Sequence, residues 1–189
     1  MYYLVKKEKI MKALVAYFSH TGQNWFGGGI VNLVKGNTEV IAEYIRDIVG
    51  ADIFKIEPQN LYPNEYNECT DIAKQEKAKD ARPILKKLPV GDLSDYDVVF
   101  IGGPVWWGTY PMAVFTFLER YNFAGKIVMP FVTHEGSNLG ECVEDIKNIL
   151  KGAKIKNGLA VYGSNVGDSR DIVEKWIKGQ LIDNNGEEK

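Results

Sequence analysis

Cysteine and histidine are scarce in this sequence, two of each among 189 residues. Cys69 and Cys142 stand far apart, so neither a CxxC pair, a zinc spacing nor a disulfide framework can be built from them. His20 and His134 alone cannot furnish a multi-histidine metal site within one chain. No apolar run approaches the roughly 18 residues of a membrane-spanning helix. Surplus charge is missing too: 23 Lys and Arg face 25 Asp and Glu, a net charge of −2. That balance argues against nucleic-acid binding by bulk electrostatics, and the only basic run is the short Lys6-Lys7-Glu8-Lys9. The apolar stretch after it, Ala13 to Phe18, is too short and too β-like for a signal peptide. The expectation is a cytosolic, cytoplasmic chain with no nucleic-acid and no membrane partner.

What the sequence does have is a series of short, nearly all-apolar runs. Ala13 to Phe18, Asp97 to Gly102 and Lys126 to Val132 are apolar at almost every position, as strands buried on both faces of a parallel sheet are. Lys156 to Tyr162 is a weaker example, and Asp52 to Glu57 alternates like an edge strand. Pro130 counts against a central strand in its run. Between these runs lie helical patterns. Val40, Ile41, Ile45, Ile48 and Val49 share one face, with Gly50 just past the end. Met112, Val114, Phe115, Leu118 and Tyr121 share another, with Pro111 at the first turn. Asn138 to Glu141 reads as a capping box before a third helix. Ile172, Val173, Trp176 and Ile177 mark a fourth, closed by Gly179. A further helix is expected near Glu65 to Lys79.

Alternating strands and helices predict an α/β doubly wound fold. Five strands favour the order 2-1-3-4-5, a flavodoxin-like parallel sheet with helices on both faces. The expected boundaries are an N-terminal extension over 1–11, one domain over 12–180 and a polar tail over 181–189.

In such a sheet, ligands bind beyond the carboxyl ends of the strands, so the loops after the apolar runs carry the chemistry. The first, Ser19-His20-Thr21-Gly22, offers hydroxyls and a glycine ahead of a helix, as a phosphate needs. Its helix begins only near Asn37-Thr38, after the glycine-rich excursion Gln23 to Gly36, which contains Trp25 and Gly27-Gly28-Gly29 and reads as a flap. The second loop, Gly102-Gly103-Pro104-Val105-Trp106-Trp107-Gly108, sets adjacent indoles between glycines, where aromatic planes suit a flat conjugated ring. The third, Thr133-His134-Glu135-Gly136-Ser137, brings the second histidine to the same edge of the sheet as His20.

Together these loops resemble those of the flavodoxin family. Ser19-His20-Thr21-Gly22 and Asn37-Thr38 are similar to its Ser/Thr-x-Thr-Gly-Asn-Thr phosphate loop. Gly102-x-Pro104-x-Trp106-Trp107-Gly108 resembles its flavin-contacting loop, in the Trp-Trp branch, and Pro130-Phe131-x-Thr133-His134-x-Gly136-Ser137 completes the set. The resemblance implies FMN as a non-covalent cofactor and electron transfer as the activity. Ser19, Thr21, Gly22, Asn37 and Thr38 would hold the phosphate, with His20 between them. Pro104, Val105, Trp106, Trp107 and Gly108 would line the flavin ring, and Thr133, His134, Glu135, Gly136 and Ser137 would border its far edge. A protonated His134 would favour the negative charge of the reduced flavin. The implied partners are redox proteins or a small-molecule electron acceptor. An NAD(P)H-dependent quinone or nitro reductase on the same fold is the second reading, with Tyr62 and Tyr66 walling a substrate pocket. A flavin-free partner-binding domain is the third.

Overall fold

The computed structural model describes residues 5–6, 9–88 and 92–181. Residues 182–189 of the expected polar tail lie outside them. A short antiparallel pair, β1 (Val5–Lys6) and β2 (Lys9–Ile10), precedes β3 (Ala13–Tyr17). Then come a hairpin of β4 (Gly22–Phe26) and β5 (Gly29–Leu33), helix α1 (Asn37–Val49), β6 (Asp52–Lys55) and α2 (Tyr66–Ala78). The rest alternates: β7 (Val98–Pro104), α3 (Met112–Arg120), β8 (Ile127–His134), α4 (Cys142–Ile149), β9 (Lys154–Ile155), β10 (Leu159–Tyr162) and α5 (Arg170–Leu181).

The main sheet runs β6-β3-β7-β8-β10 with every pairing parallel, and β9 adds a short stretch beside β8. This is the expected order 2-1-3-4-5. Successive residues of β3 point to opposite faces: Leu14 and Ala16 join one core, Ala13, Val15 and Tyr17 the other. α3 and α4 supply the first core through Val114, Phe117, Leu118 and Ile146, and α1 and α5 the second through Ile41, Ile45, Val173 and Ile177. Both faces of the sheet are therefore covered, which is why its central strands read as unbroken apolar runs.

Pro130 sits centrally after all. It lies opposite the break between Ile155 and Leu159, where the neighbouring strand is interrupted and asks for no ladder donor. Of the weak run Lys156 to Tyr162 only Leu159–Tyr162 forms a strand, β10, and β9 lies just before the run. Helix α5 continues through Gly179 to Leu181 instead of closing there. Nor does Asn138 open a capping box: it takes a left-handed φ of 54°, and no side chain caps α4, which starts only at Cys142. The helix expected near Glu65 is α2, and the Glu65 carboxylate caps it by accepting from the Glu68 amide at 2.7 Å.

Candidate functional site

A cavity of about 350 Å³ opens at the carboxyl edge of the sheet, within the usual range of small-molecule sites. The loops after β3, β7 and β8 meet there with the start of α1. Ser19, His20, Asn37 and Thr38 line it from one side, Pro104, Val105, Trp106 and Trp107 from another, and Thr133, His134, Glu135 and Ser137 from a third. Thr21, Gly22, Gly108 and Gly136 do not line it. The three glycines serve the loop backbones instead. Gly22 and Gly108 have φ of 79° and 88°, and a side chain on Gly22 would meet Asn64 at 2.9 Å. Gly136, at φ 129°, places its N–H on His134 Nδ1 at 3.0 Å.

The split phosphate motif does close again. Gly36 packs so tightly on the first loop that a Cβ there would lie 2.2 Å from Ser19 Oγ and 2.4 Å from the His20 carbonyl. Ser19 Oγ accepts from the Glu39 amide at 3.1 Å. Thr38 and Thr133 share a buried hydroxyl–hydroxyl bond of 2.8 Å, joining the start of α1 to the end of β8. The first-turn amides of α1 have no partner within the helix and carry the positive end of its dipole. Neither Lys nor Arg lines this cavity, so an anion at the α1 terminus is met by dipoles and hydroxyls.

The adjacent tryptophans have different surroundings. Half-buried Trp106 stands edge-on to Phe18, Tyr62 and His20, with centroids 5.3, 5.1 and 5.7 Å away. Trp107 is 47% exposed and sits at φ 53°, followed by Gly108 at 88°. Trp106 and Thr109 bond to each other through their backbones on either side, so the two form the corner of a tight primed turn. A bulky residue in left-handed backbone is strained, and such strain clusters at functional sites. Its indole Nε1 donates to the Thr70 carbonyl at 2.9 Å and its carbonyl accepts from Lys77 Nζ at 2.6 Å.

Both histidines are held below the usual histidine value, chiefly by burial. His20 Nε2 lies 3.0 Å from the Pro63 carbonyl and donates to it. His134 accepts at Nδ1 and packs on Tyr162 at 4.4 Å. The structure therefore favours a neutral His134, against the help that a protonated ring would give the reduced flavin. Burial pushes the Cys69 thiol up to about 12, so it is no nucleophile. Tyr62 is no pocket wall either: it is buried beneath Trp106, with its hydroxyl donating to Glu76.

The excursion, expected as a flap, and α2, from which Tyr66 was expected as a pocket wall, both reach the cavity; Asn24, Thr70 and Ala73 were not anticipated. Residues 23–36 fold into the β4–β5 hairpin, turned by Gly27 and Gly28 at φ 60° and 95°. Its base is tied by the Gln23 amide to the Asn64 carbonyl at 2.8 Å. Its tip is held by Glu135, whose two oxygens accept from the amides of Gly27 at 3.2 Å and Ser164 at 2.8 Å. Asn24 and Trp25 of the hairpin, Tyr66, Thr70 and Ala73 of α2, and Gly163 complete the lining. Among the described residues no cluster of His, Cys, Asp and Glu could hold a metal, and no helix is long and apolar enough to cross a membrane.

A doubly wound parallel sheet with hydroxyls, a helix N-terminus and indoles around one cavity at its carboxyl edge defines a flavin- or nucleotide-binding class. The comparisons narrow this. Residues 12–180 match the flavodoxin family model, and the chain belongs to the flavodoxin family. FMN is the cofactor that this membership supports. A protein described as a flavoprotein from Bacteroides uniformis ATCC 8492 is 29% identical, with a TM-score of 0.72 over 90% of this chain and 99% of that one. Another, from Bacteroides eggerthii DSM 20697, is also 29% identical, with a TM-score of 0.66 over 86% and 98%. A flavoprotein from Lactobacillus acidophilus NCFM, solved in complex with FMN, shares the fold at 22% identity, with a TM-score of 0.60 over 84% and 97%. No curated protein matches.

Proposed function

We propose that the protein holds FMN in this cavity and carries electrons between redox partners. The observation that carries the reading is the junction of two features in one cavity: the start of α1 ringed by Ser19, Asn37, Thr38 and Thr133, and the strained, half-exposed Trp107. The residues present fit the cofactor. The glycine at position 36 leaves Ser19 and the helix terminus open to a phosphate where any larger residue would overlap Ser19. FMN, when bound, supplies the redox chemistry by accepting and releasing one or two electrons.

The chain's own residues bind, orient and shield. Asn37 and Thr38 would hold the phosphate with first-turn amides and side-chain dipoles, and the Thr38–Thr133 bond fixes the two hydroxyls against each other. Trp106 is locked by its three ring neighbours and sets the floor beside Val105. Trp107, pinned to α2 through its indole Nε1, would pack its ring on the flavin. The neutral His134 leaves Nε2 as a donor at the far edge, because Nδ1 is taken by Gly136. No nucleophile activated by a neighbouring base is present in the lining, as suits a carrier better than a hydrolase.

Loaded protein mixed with NADH or NADPH and a quinone separates the carrier from the reductase. The carrier reading predicts no sustained nicotinamide oxidation above that of free FMN. Sustained, enzyme-dependent turnover would replace it with the reductase.

A further inference from the structure

A second cavity, of about 260 Å³, shares no lining residue with the first. Residues 58–60 after β6, Glu76 on α2 and residues 81–84 after that helix line it. Its walls are fastened. The Gln59 amide donates to the Ile84 carbonyl at 2.7 Å and the Lys86 amide to the Glu57 carbonyl at 2.8 Å, which pairs the two segments antiparallel about Pro58 and Leu85. The Thr116 hydroxyl of α3 donates to the Pro83 carbonyl at 3.0 Å. Arg82 lies over the Phe115 ring at 5.3 Å, and its guanidinium is engaged by Glu119 and Asp80 at 2.7 Å each.

Glu76 is the charge that this scheme leaves out. The buried Tyr62 hydroxyl donates to its Oε2, and among the described residues nothing bonds Oε1 and no cation pairs with the carboxylate. Since no buried side-chain oxygen of the described residues lacks a partner, Oε1 is open to solvent, and the cavity is where Glu76 meets it. Burial raises the Glu76 carboxyl above its usual value, although the Tyr62 bond works the other way. A half-buried carboxylate ordinarily has a cation or several donors beside it, because leaving it bare is costly. Arg82 stands in the same lining but cannot serve without giving up Asp80 and Glu119, and no lysine lines the cavity.

We propose that this cavity binds a primary alkylammonium group on a short aliphatic chain, with the ammonium on Glu76 Oε1 and the chain against Pro58, Pro83 and Ile84. A guanidinium would want both carboxylate oxygens side by side, and Tyr62 holds one of them. An ammonium is a compact charge that needs only the other. A metal ion lacks ligands here, since no group of His, Cys, Asp and Glu among the described residues could hold one. The cavity is smaller than the roughly 300 Å³ at which sites for drug-sized molecules begin, so the chain is short. The apolar lining gives it a surface to cover, with Ile84 71% exposed. The site goes beyond the flavin reading and does not depend on it.

The test titrates the full ¹⁵N-labelled chain, with FMN present in excess, with n-butylammonium chloride at constant ionic strength. Saturable amide shifts around Gln59, Glu76 and Ile84, fitting one site, are expected. Glu76→Gln keeps an acceptor for Tyr62 and removes the charge, and should weaken binding about tenfold. Ile84→Ser should weaken it about threefold, with FMN affinity unchanged in both variants. The neutral n-butanol should give no saturable shift. N-acetyl-lysine amide separates two sources of the same group: comparable binding points to a lysine side chain of another protein, and exclusion to a free amine. Absence of saturable butylammonium binding, equal affinity in Glu76→Gln, or equal binding of n-butanol overturns the proposal. Should Glu76→Gln fail to fold, the butanol comparison and Ile84→Ser still decide. A chain that takes up no FMN sinks the flavin reading alone, because the butylammonium titration reads a different set of residues.

Discussion

Trp106 and Trp107 are neighbours in the chain and opposites in environment. Trp106 is wedged among Phe18, His20 and Tyr62, so its loss removes packing whether or not a ligand is present. Trp106→Ala should cost about 3 kcal/mol of stability in urea unfolding. Trp107→Ala removes a half-exposed ring from a left-handed position and should cost less than about 1 kcal/mol, yet weaken FMN binding and brighten the bound flavin's fluorescence. The opposite pattern would mean that the two roles have been exchanged. The histidines make a prediction of their own. Burial is the largest influence at both, outweighing the carbonyls of Pro63 and Tyr62 at His20 and the charge of Glu135 at His134, and it lowers both pKa values. The unfolded chain, titrating near 6.5, then takes up protons before the folded one does. Their contribution to stability is complete above about pH 6.5 and is lost as pH falls through the window between the unfolded and folded values. Melting curves at pH 7.5 and 5.5 should show a larger fall in Tm for the wild type than for the double variant His20→Gln, His134→Gln. Equal falls would show that neither ring is held neutral.

Among the elements, the β4–β5 hairpin was the hardest to read from sequence. The Gly27-Gly28 pair is a turn signal, but Gly22–Phe26 and Gly29–Leu33 lack the apolar alternation of strands with one face on a core. They need none, because the hairpin stands off the main sheet and pairs with itself. What holds its tip is a contact 108 residues distant in sequence, from the Gly27 amide to Glu135, which no local pattern announces. Glu135 was expected to border the flavin. It lines the cavity, but both its oxygens are engaged by backbone amides. Its task is to fasten the hairpin beside the cavity. Glu135→Ala should therefore speed FMN release about tenfold in stopped-flow fluorescence, with Glu135→Gln intermediate, since charge-assisted bonds are worth about 1.5–3 kcal/mol each. An unchanged release rate would make the clasp irrelevant to the cofactor. Helix α5 gives a milder lesson. Glycine weakens a helix interior by only about 1 kcal/mol, and the packing of Trp176, Ile177 and Leu181 on the core carries the helix through Gly179.

At the scale of the whole molecule, sheet order and site position were legible for one reason. A strand buried on both faces must be apolar throughout, and the loop that follows it must be polar, so apolar runs mark the strands and their ends mark the site. Ser19, Trp106 and Thr133 were found that way, and Thr38, beyond the excursion, only through the resemblance to the phosphate loop. Of the α2 wall only Tyr66 was foreseen, because that helix buries only Cys69 and Ala73 and shows little periodicity. Its face matters through what crosses to it from the hairpin and from the turn after β7. The proposed function requires a phosphate at the start of α1 and a flat ring against Trp107. Calorimetric titration of the full chain with FMN and with riboflavin, which differ by that phosphate, tests it most directly. One FMN per chain is expected, with riboflavin binding weaker by about a hundredfold, the worth of two or so charge-assisted hydrogen bonds. Equal affinity for the two flavins would contradict it.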